Sequence, residues 1–226
     1  LAQGRTYLHT HNQPSLNTMT TTLHTRTPHR TLNAPTIIGL AGPAGSGKDT
    51  VADYLCETHD FVRYSFAEPM RDMLEAMLAA CDIDYAYLFE RSLKEQPIPG
   101  LDVSARHMMQ TLGTEWGRAL HPDWWVRIAA RHLGLPLAPV HDRIVLSDVR
   151  FGNEAQMIRS HGGSIVRVQR DTLAVRAHVS ETTLAGIEAD HLIDNTGGIA
   201  RLHGHTDDLL DSLLCSWRLA RAEQRA

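Results

Sequence analysis

The sequence predicts an α/β fold, in which helices flank a parallel five-stranded sheet and a helical lobe is inserted after the second strand. Three observations lead to this prediction. Short apolar runs alternate with helical patterns, as expected when helices connect parallel strands. A glycine-rich loop separates the first run from the first helical pattern. The interval between the second and third runs, about residues 67–142, is long and mostly helical in pattern.

The five strand candidates are short runs of apolar and β-branched residues, which is the composition of strands buried in a parallel sheet. They are Ile37–Ala41, Phe61–Ser65, Arg143–Leu146, Ser164–Val168 and His191–Ile193. Apolar spacing and capping residues locate the helices between them. The predicted helices are Asp49–Thr58, Glu68–Ala80, Ser104–Leu112 with Ser104 as its N-cap, one opened by Asn153 and closed at Gly162 or Gly163, and a C-terminal helix opened by Thr206.

Bulk properties exclude several classes of protein. The chain has 226 residues, of which 42% are hydrophobic and 21% charged, and its formal net charge is −4. No acid precedes Asp49, so leaving out the three arginines of the first 35 residues takes the net charge from −4 to −7. This acidic balance argues against a polymeric nucleic acid as partner, and no apolar run reaches the roughly 20 residues of a membrane span. Three widely spaced cysteines indicate neither a disulfide frame nor a zinc site.

Composition also suggests how the chain is divided. Residues 1–34 are rich in Thr, His, Asn and Gln without periodicity, which predicts a disordered tail or leader. This segment has no secretory hydrophobic core, so a cytoplasmic location is expected. Residues 35–226 form the predicted globular domain, with residues 67–142 as its helical insert. Ligands of such sheets bind at the carboxyl ends of the strands, so the insert is the natural place for a second ligand.

The loop after the first strand, Gly42–Thr50, fits the P-loop pattern G-x-x-x-x-G-K-[ST] at every position but the last. Glycines let successive amides curl around phosphate oxygens, and Lys48 supplies a mobile cation. The helix that follows directs its positive end at the phosphates. The loop therefore predicts a bound nucleoside triphosphate. The residues expected to contact it are Ala44, Gly45, Ser46, Gly47, Lys48, Asp49 and Thr50.

A carboxylate, Asp49, stands where the pattern requires a hydroxyl for Mg²⁺. We expect Thr50, or Asp49 through a metal-bound water, to replace the usual ligand. A second carboxylate, Asp148, ends the apolar run Ile144–Ser147, an arrangement that lets an acid meet Mg²⁺ or its water. The alternative for Asp148 is a loop or helix cap without contact to the metal. The predicted metal ligands are thus Asp49, Thr50 and Asp148.

Further polar residues indicate a second, anionic ligand. Ser65 and Phe66 lie at the carboxyl end of the second strand, next to the loop, so they are expected to contact this ligand. Arg106 and Gln110 are four residues apart on one helical face, where a guanidinium and an amide can converge; the alternative is a solvated face. Arg150 follows the third strand at the same edge of the sheet and is expected to bind the anionic group, unless it forms an ordinary salt bridge.

Six short strings carry a resemblance to a known family. They are Gly47-Lys-Asp-Thr50, Tyr64-Ser-Phe-Ala-Glu-Pro69, Lys94-Glu95, Arg106 with Gln110-Thr-Leu-Gly-Thr-Glu-Trp-Gly-Arg118, Asp148-Val-Arg-Phe-Gly-Asn-Glu-Ala155 and His178-Val-Ser-Glu181. Together they resemble the deoxynucleoside monophosphate kinase family of bacteriophages, over about residues 36–215. The resemblance implies a P-loop kinase fold and transfer of the γ-phosphoryl of ATP, with Mg²⁺, to a deoxynucleoside 5′-monophosphate. On this interpretation Lys48, Asp148 and Arg150 are the catalytic residues, and the insert binds the monophosphate.

Two alternatives stay open. Dephospho-coenzyme A kinase shares the fold and the glycine loop, but the strings Gln110–Arg118 and Asp148–Ala155 argue against it. A non-enzymatic nucleotide-binding module has no need of Lys48 together with the acid and the arginines. A GTPase is excluded because the sequence contains no N-K-x-D motif.

Four properties are not determined by the sequence. They are the bases that are accepted, the choice between deoxyribose and ribose, and the choice between a monomer and a homodimer. Kinases of this type close a segment after the fourth strand over the phosphates to exclude water, and the fourth property is which of Arg167, Arg170 and Arg176 closes over the phosphates with it. If a phage encodes the chain, the expected location is the host cytoplasm.

Overall fold

A computed structural model of the chain describes residues 36–135, 139–170 and 186–223, with side chains of the last helix described as far as Cys215. The predicted tail, residues 1–34, lies outside these ranges. So do Arg176 and the string His178–Glu181.

Five strands form one sheet, and all neighbouring pairs are parallel, as the sequence predicts. They are β1 (Thr36–Ala41), β2 (Val62–Tyr64), β3 (Arg143–Val149), β4 (Ser164–Gln169) and β5 (His191–Asp194), in the spatial order β2-β3-β1-β4-β5. The central strand β1 pairs with β3 on one side and with β4 on the other. Because the chain leaves β1 towards one edge and later returns to the other, the loops after β1 and β3 meet where the strand order reverses, which is the usual ligand position in such sheets.

Helices lie on both faces of this sheet and in the segment between β2 and β3. They are α1 (Lys48–His59), α2 (Glu68–Ala80), α3 (Ala86–Phe89), α4 (Ala105–Gln110), a π-helix (Thr111–Gly117), α5 (Arg118–Leu120), α6 (Trp124–His132), α7 (Gly152–Ser160) and α8 (Ile199–Glu223). Successive residues of β1 point to opposite faces. Ile37 joins a core cluster with α6 and α7, whereas Ile38 joins a second cluster with α1 and α8. No helix in the described ranges is long and apolar enough to cross a membrane.

The segment between β2 and β3 carries α2 to α6. Its first part has a small core of its own, in which Leu74 and Leu78 of α2 pack with Leu88 of α3, Ile98 and Ala105. Ser104 caps α4 as predicted, because its side chain accepts a hydrogen bond from the backbone amide of His107. The helix does not end near Leu112, however. It continues into the π-helix as far as Gly117.

Two predicted helix starts were wrong. The helix after β3 begins at Gly152 with Phe151 as its N-cap, because Asn153 donates its side-chain amide to the carbonyl of Pro122 and to Asp123 instead. The C-terminal helix begins at Ile199, and Thr206 is a buried residue inside it. The Thr206 hydroxyl donates to the carbonyl of Leu202 at 2.8 Å, so its polar group is satisfied without a helix end.

Candidate active site

The phosphate loop, residues 42–48, folds back on itself between β1 and α1. Gly42 and Gly47 have φ values of 145° and 102°, a backbone conformation that residues with a side chain rarely adopt. A Cβ at Gly42 would lie 2.4 Å from the carbonyl oxygen of Val168, and one at Gly47 would lie 2.4 Å from the side-chain nitrogen of Asn195. Gly47 is also the N-cap of α1. The glycines are therefore required by backbone conformation and by close packing, and the helix N-terminus opens directly onto the loop.

Two side chains support this loop, and a third is buried in it without a partner. The Lys48 ammonium lies across it and donates to the carbonyls of Gly42 and Pro43 at 2.8 and 2.7 Å. The buried Asn195, which follows β5, donates its side-chain amide to the carbonyl of Ser46 at 2.8 Å. The Ser46 hydroxyl is buried and finds no partner among the described residues. A buried hydroxyl without a partner is uncommon, so the loop offers an unused polar group beside its amides.

Asp49, the unusual residue of the P-loop pattern, forms an ion pair with Arg63 of β2. The same guanidinium donates to Asp53 at 2.8 Å and to the hydroxyl of Ser147 at 3.0 Å. Ser147 precedes Asp148, so Arg63 links the first turn of α1 to the end of β3. This pairing explains how a carboxylate is tolerated next to a phosphate loop, because Arg63 compensates its charge.

Asp148 is the penultimate residue of β3 and holds the turn between β2 and α2. Its two oxygens accept from the Ser65 hydroxyl at 2.7 Å, the Phe66 amide at 2.8 Å and the Ala67 amide at 3.0 Å. A carboxylate offers about four acceptor positions, so one remains. These contacts bring the predicted residues Ser65, Phe66 and Asp148 together. They also match the alternative of a cap, and the metal role of Asp148 stays a prediction.

Three cations lie next to this turn and form what we call the cation cluster: Arg71 of α2, Lys94 and Arg106 of α4. Arg71 donates to the Ser65 hydroxyl at 3.0 Å. Burial lowers the pKa of Lys94, and the positive charges of Arg71 and Arg106 lower it further, whereas Asp49 raises it. Lys94 therefore shares its electrostatic surroundings with Arg71, Arg106 and Asp49. Clustered, partly desolvated cations are the arrangement that favours binding of an anionic group.

Arg106 and Gln110 are placed differently from each other. The exposed Arg106 forms an ion pair with Glu95, while its backbone amide donates to the carbonyl of Lys94 at 3.0 Å. Gln110 ends α4 and is partly buried. The convergence of these two side chains on one ligand stays a prediction.

Arg150 lies in the turn between β3 and α7. Its side chain is exposed, and its backbone amide donates to the Glu154 carboxylate at 2.8 Å. Glu154 is buried, and burial raises its pKa to about 7, although the amides of Arg150 and Phe151 and the nearby Arg118 lower it. Of the three candidate closing arginines, Arg167 donates to the carbonyl of Ile187 at 2.5 Å, and Arg170 ends the described segment after β4.

Sequence reasoning missed Arg63, Arg71 and Asn195 in this region, and it assigned no role to Lys94, which lies in one of the six strings that resemble the kinase family. Arg71 could have been found, because it lies one turn into the helix that follows the predicted Ser65 contact. The sequence gives little indication of Arg63 and Asn195. Each reaches the phosphate loop or its helix from a different strand, which only the order of strands reveals.

The residues fit a nucleotide phosphate better than they fit a metal alone. Among the described residues, no group of three or more His, Cys, Asp or Glu side chains could hold a metal ion. Mg²⁺ in kinases needs only one or two protein carboxylates, since phosphate oxygens and waters complete its shell. The residues available as protein ligands of Mg²⁺ are Asp148 and, in the first turn of α1, Asp49 and Thr50.

The parallel sheet with a phosphate loop after its first strand defines a P-loop kinase fold. The family model described as "Deoxynucleotide monophosphate kinase" matches residues 84–205, more than half of the chain. The chain therefore belongs to the deoxynucleotide monophosphate kinase family, an enzyme family of phosphotransferases. The match begins after the phosphate loop, so the loop and the family match are independent observations.

Two viral relatives carry names of this family, and a solved structure of a different kinase aligns weakly. The chain is 29% identical to the putative deoxynucleotide monophosphate kinase of Acanthamoeba polyphaga mimivirus, over 70% of this chain and 86% of the relative. It is 28% identical to the deoxynucleoside-5′-monophosphate kinase of Escherichia phage T5, over 69% and 82% respectively. Among solved structures, the dephospho-CoA kinase from Campylobacter jejuni aligns over 80% of this chain and 98% of its own, with a TM-score of 0.42 and 14% identity.

Proposed function

We propose that this protein transfers the γ-phosphoryl group of ATP to a deoxynucleoside 5′-monophosphate and forms the diphosphate. One observation carries the proposal: Arg71 of the cation cluster and Asp148 hold the same Ser65 hydroxyl at 3.0 and 2.7 Å, and Arg63 links Ser147, the neighbour of Asp148, to Asp49 in the first turn of α1. A loop that binds phosphates through its amides thus lies beside a second group of cations. Phosphoryl transfer requires two phosphates in line and compensation of their charge, and little else from the protein.

The donor is held by the phosphate loop. The amides of residues 44–50 surround its phosphates, and Lys48 moves from the loop carbonyls to the outer phosphates. The buried Ser46 hydroxyl becomes a further donor. Asn195 keeps the loop in shape through its bond to the Ser46 carbonyl.

The acceptor phosphate is held by Arg71, Lys94 and Arg106, while Ser65 and Phe66 form the floor of its site. The Ser65 hydroxyl is fixed between Arg71 and Asp148, at 3.0 and 2.7 Å. Arg150 lies at the same edge of the sheet and compensates the charge that develops on the transferred group. Gln110 contacts the nucleoside. Because most of these groups are side chains from the insert, the insert determines which monophosphates are accepted.

Mg²⁺, when bound, neutralises phosphate charge and orients the donor. Asp148 and Thr50 would hold it, with Asp49 contributing through a water while Arg63 compensates its charge. We propose a cytoplasmic reaction, because ATP and nucleoside monophosphates are available there, with neither a membrane nor a polymeric nucleic acid as partner.

Coupled ADP release tests the proposal. The assay uses Mg²⁺-ATP with a panel of deoxy- and ribonucleoside monophosphates, and dephospho-coenzyme A as the competing acceptor. Turnover with at least one deoxynucleoside monophosphate is expected, and the pattern gives the base and sugar preference. A signal with dephospho-coenzyme A alone would reassign the acceptor. No turnover with any acceptor, despite measurable ATP binding, would favour a binding module.

A further inference from the structure

A buried contact joins the substrate insert to the turn that carries Arg150. Arg118 of α5 donates to the Glu154 carboxylate of α7 at 3.0 Å, and the two side chains are only 17% and 4% exposed. The Arg118 guanidinium also lies over the ring of Phe151, 3.5 Å from its centroid. We refer to Arg118, Phe151 and Glu154 as the clamp.

Both oxygens of Glu154 are used, and they point in different directions. Oε1 accepts from Arg118, whereas Oε2 accepts from the backbone amides of Arg150 and Phe151 at 2.8 and 3.1 Å. The carboxylate therefore fixes the backbone of Arg150 directly. Its other oxygen attaches that backbone to the insert.

A second contact reinforces the first. Asn153 donates its side-chain amide to the carbonyl of Pro122 at 3.0 Å and to Asp123 at 2.7 Å, while Arg118 donates to the same carbonyl at 3.1 Å. The part of the insert between the π-helix and α6, residues 118–123, thus holds the start of α7 at two positions. The segment itself is anchored by Trp125, whose ring nitrogen donates to the carbonyl of Gly113 in the π-helix at 2.7 Å.

A buried ion pair adds little net stability to a turn, because removing two charges from water costs free energy. Apolar residues of similar size often stabilise a fold as well or better. Its advantage here is geometric. A planar guanidinium can bind a carboxylate and stack on an aromatic ring at the same time, which an ammonium cannot do as well. Such a pair specifies one arrangement of the two elements.

We infer that the clamp is a positioning device that keeps the turn with Arg150 in its reactive geometry against the substrate insert. This inference rests on the proposed function, because it assigns Arg150 to the transferred group. Arg118 and Glu154 touch neither nucleotide; they act through the backbone of Arg150. Loosening the clamp should therefore lower kcat and leave the KM values for both nucleotides nearly unchanged, because misplacement of a reacting group costs rate rather than affinity.

The test compares Glu154→Gln, Arg118→Met and the double variant with the wild type. A glutamine has one acceptor oxygen and one NH₂ group, so it cannot accept from Arg118 and the two amides together. We expect kcat to fall by about 10–100-fold in each single variant. The double variant should fall no further than either single variant, since both break the same unit.

The matched control is Arg159→Met, which removes the exposed ion pair of the same helix with Asp190, whose side chains are 38% and 37% exposed. It should keep the wild-type kcat. If a variant fails to fold, Arg118→Lys replaces it, because this change keeps the charge and loses the stacking and the planar geometry.

A second readout separates this inference from the proposed function. Hydrogen exchange of the Arg150 and Phe151 amides should accelerate at least about tenfold in Glu154→Gln and stay unchanged in Arg159→Met, whether or not the wild type transfers phosphoryl groups. Unchanged exchange at these amides would overturn the clamp. So would a wild-type kcat in the Glu154 and Arg118 variants of an active enzyme. A wild type without turnover, but with the predicted exchange, would overturn the proposed function alone.

Discussion

The phosphate loop and the cation cluster differ in what supplies their polar groups. The loop uses backbone amides, and its critical residues are glycines with positive φ, such as Gly42 and Gly47. The cluster uses long side chains from α2, from α4 and from the segment between them. A backbone site binds any triphosphate of suitable shape, whereas a side-chain site can be altered one residue at a time. We therefore expect changes in the loop to affect ATP and catalysis, and changes in the cluster to affect the acceptor.

The largest effect should follow from Lys48→Met. This change keeps the length of the side chain and removes the cation that reaches the outer phosphates. We expect kcat to fall by roughly 10²–10³-fold, the usual cost of losing one group that stabilises transition-state charge. Steady-state kinetics with saturating monophosphate measure it, and an unchanged melting temperature shows that the fold is intact. A kcat within a factor of three of the wild type would contradict the role of Lys48.

The second-largest effect should distinguish the cation cluster from the phosphate loop, because it should leave the KM for ATP nearly unchanged. Arg71→Ala removes a guanidinium that touches Ser65. The KM for the monophosphate should rise by about 10–100-fold, as expected for the loss of a charged hydrogen bond, while the KM for ATP changes less than twofold. Arg91→Ala is the matched control, since this exposed arginine of the insert lies outside the cluster. Equal changes in both KM values would show that the two regions are not separate sites.

A third, pH-dependent effect concerns the boundary between the two regions. Burial raises the pKa of Glu154 from 4.5 to about 7, so the folded protein binds this proton more tightly than the unfolded chain does. Its stabilising contribution is complete below pH 4.5 and disappears as the pH rises through 7, which amounts to about 3 kcal/mol. The charged groups that act on Glu154 are Arg118 of α5 and Asp148 of β3.

Comparison with Glu154→Gln isolates this ionisation from those of other acids. Between pH 5 and pH 8, urea unfolding should show the wild type losing about 2–3 kcal/mol relative to the variant. Over the same range kcat of the wild type should rise, because the charged carboxylate completes the clamp, and the variant should lack this step. A stability difference that is independent of pH would contradict the raised pKa.

The smallest effect should come from Asn195→Ala, which removes one neutral hydrogen bond behind the phosphate loop. We expect the KM for ATP to rise by a few fold, corresponding to about 1 kcal/mol, with no change in the KM for the monophosphate. Nucleotide-dependent quenching or calorimetry gives the ATP affinity independently. A larger rise in the KM for the monophosphate than in the KM for ATP would contradict the assignment of Asn195 to the ATP-binding loop.

The same difference between the regions explains what the sequence could predict. The phosphate loop is a local pattern between a strand and a helix, so residues 42–50 could be assigned without the fold. The three inner strands β1, β3 and β4 were found for a similar reason, because a buried parallel strand is a continuous apolar run. The partner of Asp49 could not be found in this way. Arg63 lies on β2, and only the pairing of β2 with β3 brings it to the end of β3.

The helices of the insert and of its neighbour α7 were harder to predict, because contacts between distant side chains determine where these helices begin and end more than the apolar spacing does. The π-helix has no sequence signature. Gly113 and Gly117 inside it permit close packing against Met70 and Trp125, because a Cβ at either glycine would collide with these side chains. Asn153 resembles an N-cap, yet its side chain is used by the loop before α6. A polar residue does not mark a helix end when its side chain is hydrogen-bonded to a distant part of the chain. The sequence alone does not show which polar residues have such a partner.

The most direct measurement follows the label from γ-³²P-ATP in a mixture with one deoxynucleoside monophosphate and Mg²⁺. The account predicts that the label appears in the deoxynucleoside diphosphate, one for each ADP formed. It also predicts that Arg71→Ala gives the same product at a higher monophosphate concentration. Label released only as inorganic phosphate, or ADP formation that is independent of the monophosphate, would contradict the claim that the loop and the cation cluster form one phosphoryl-transfer site.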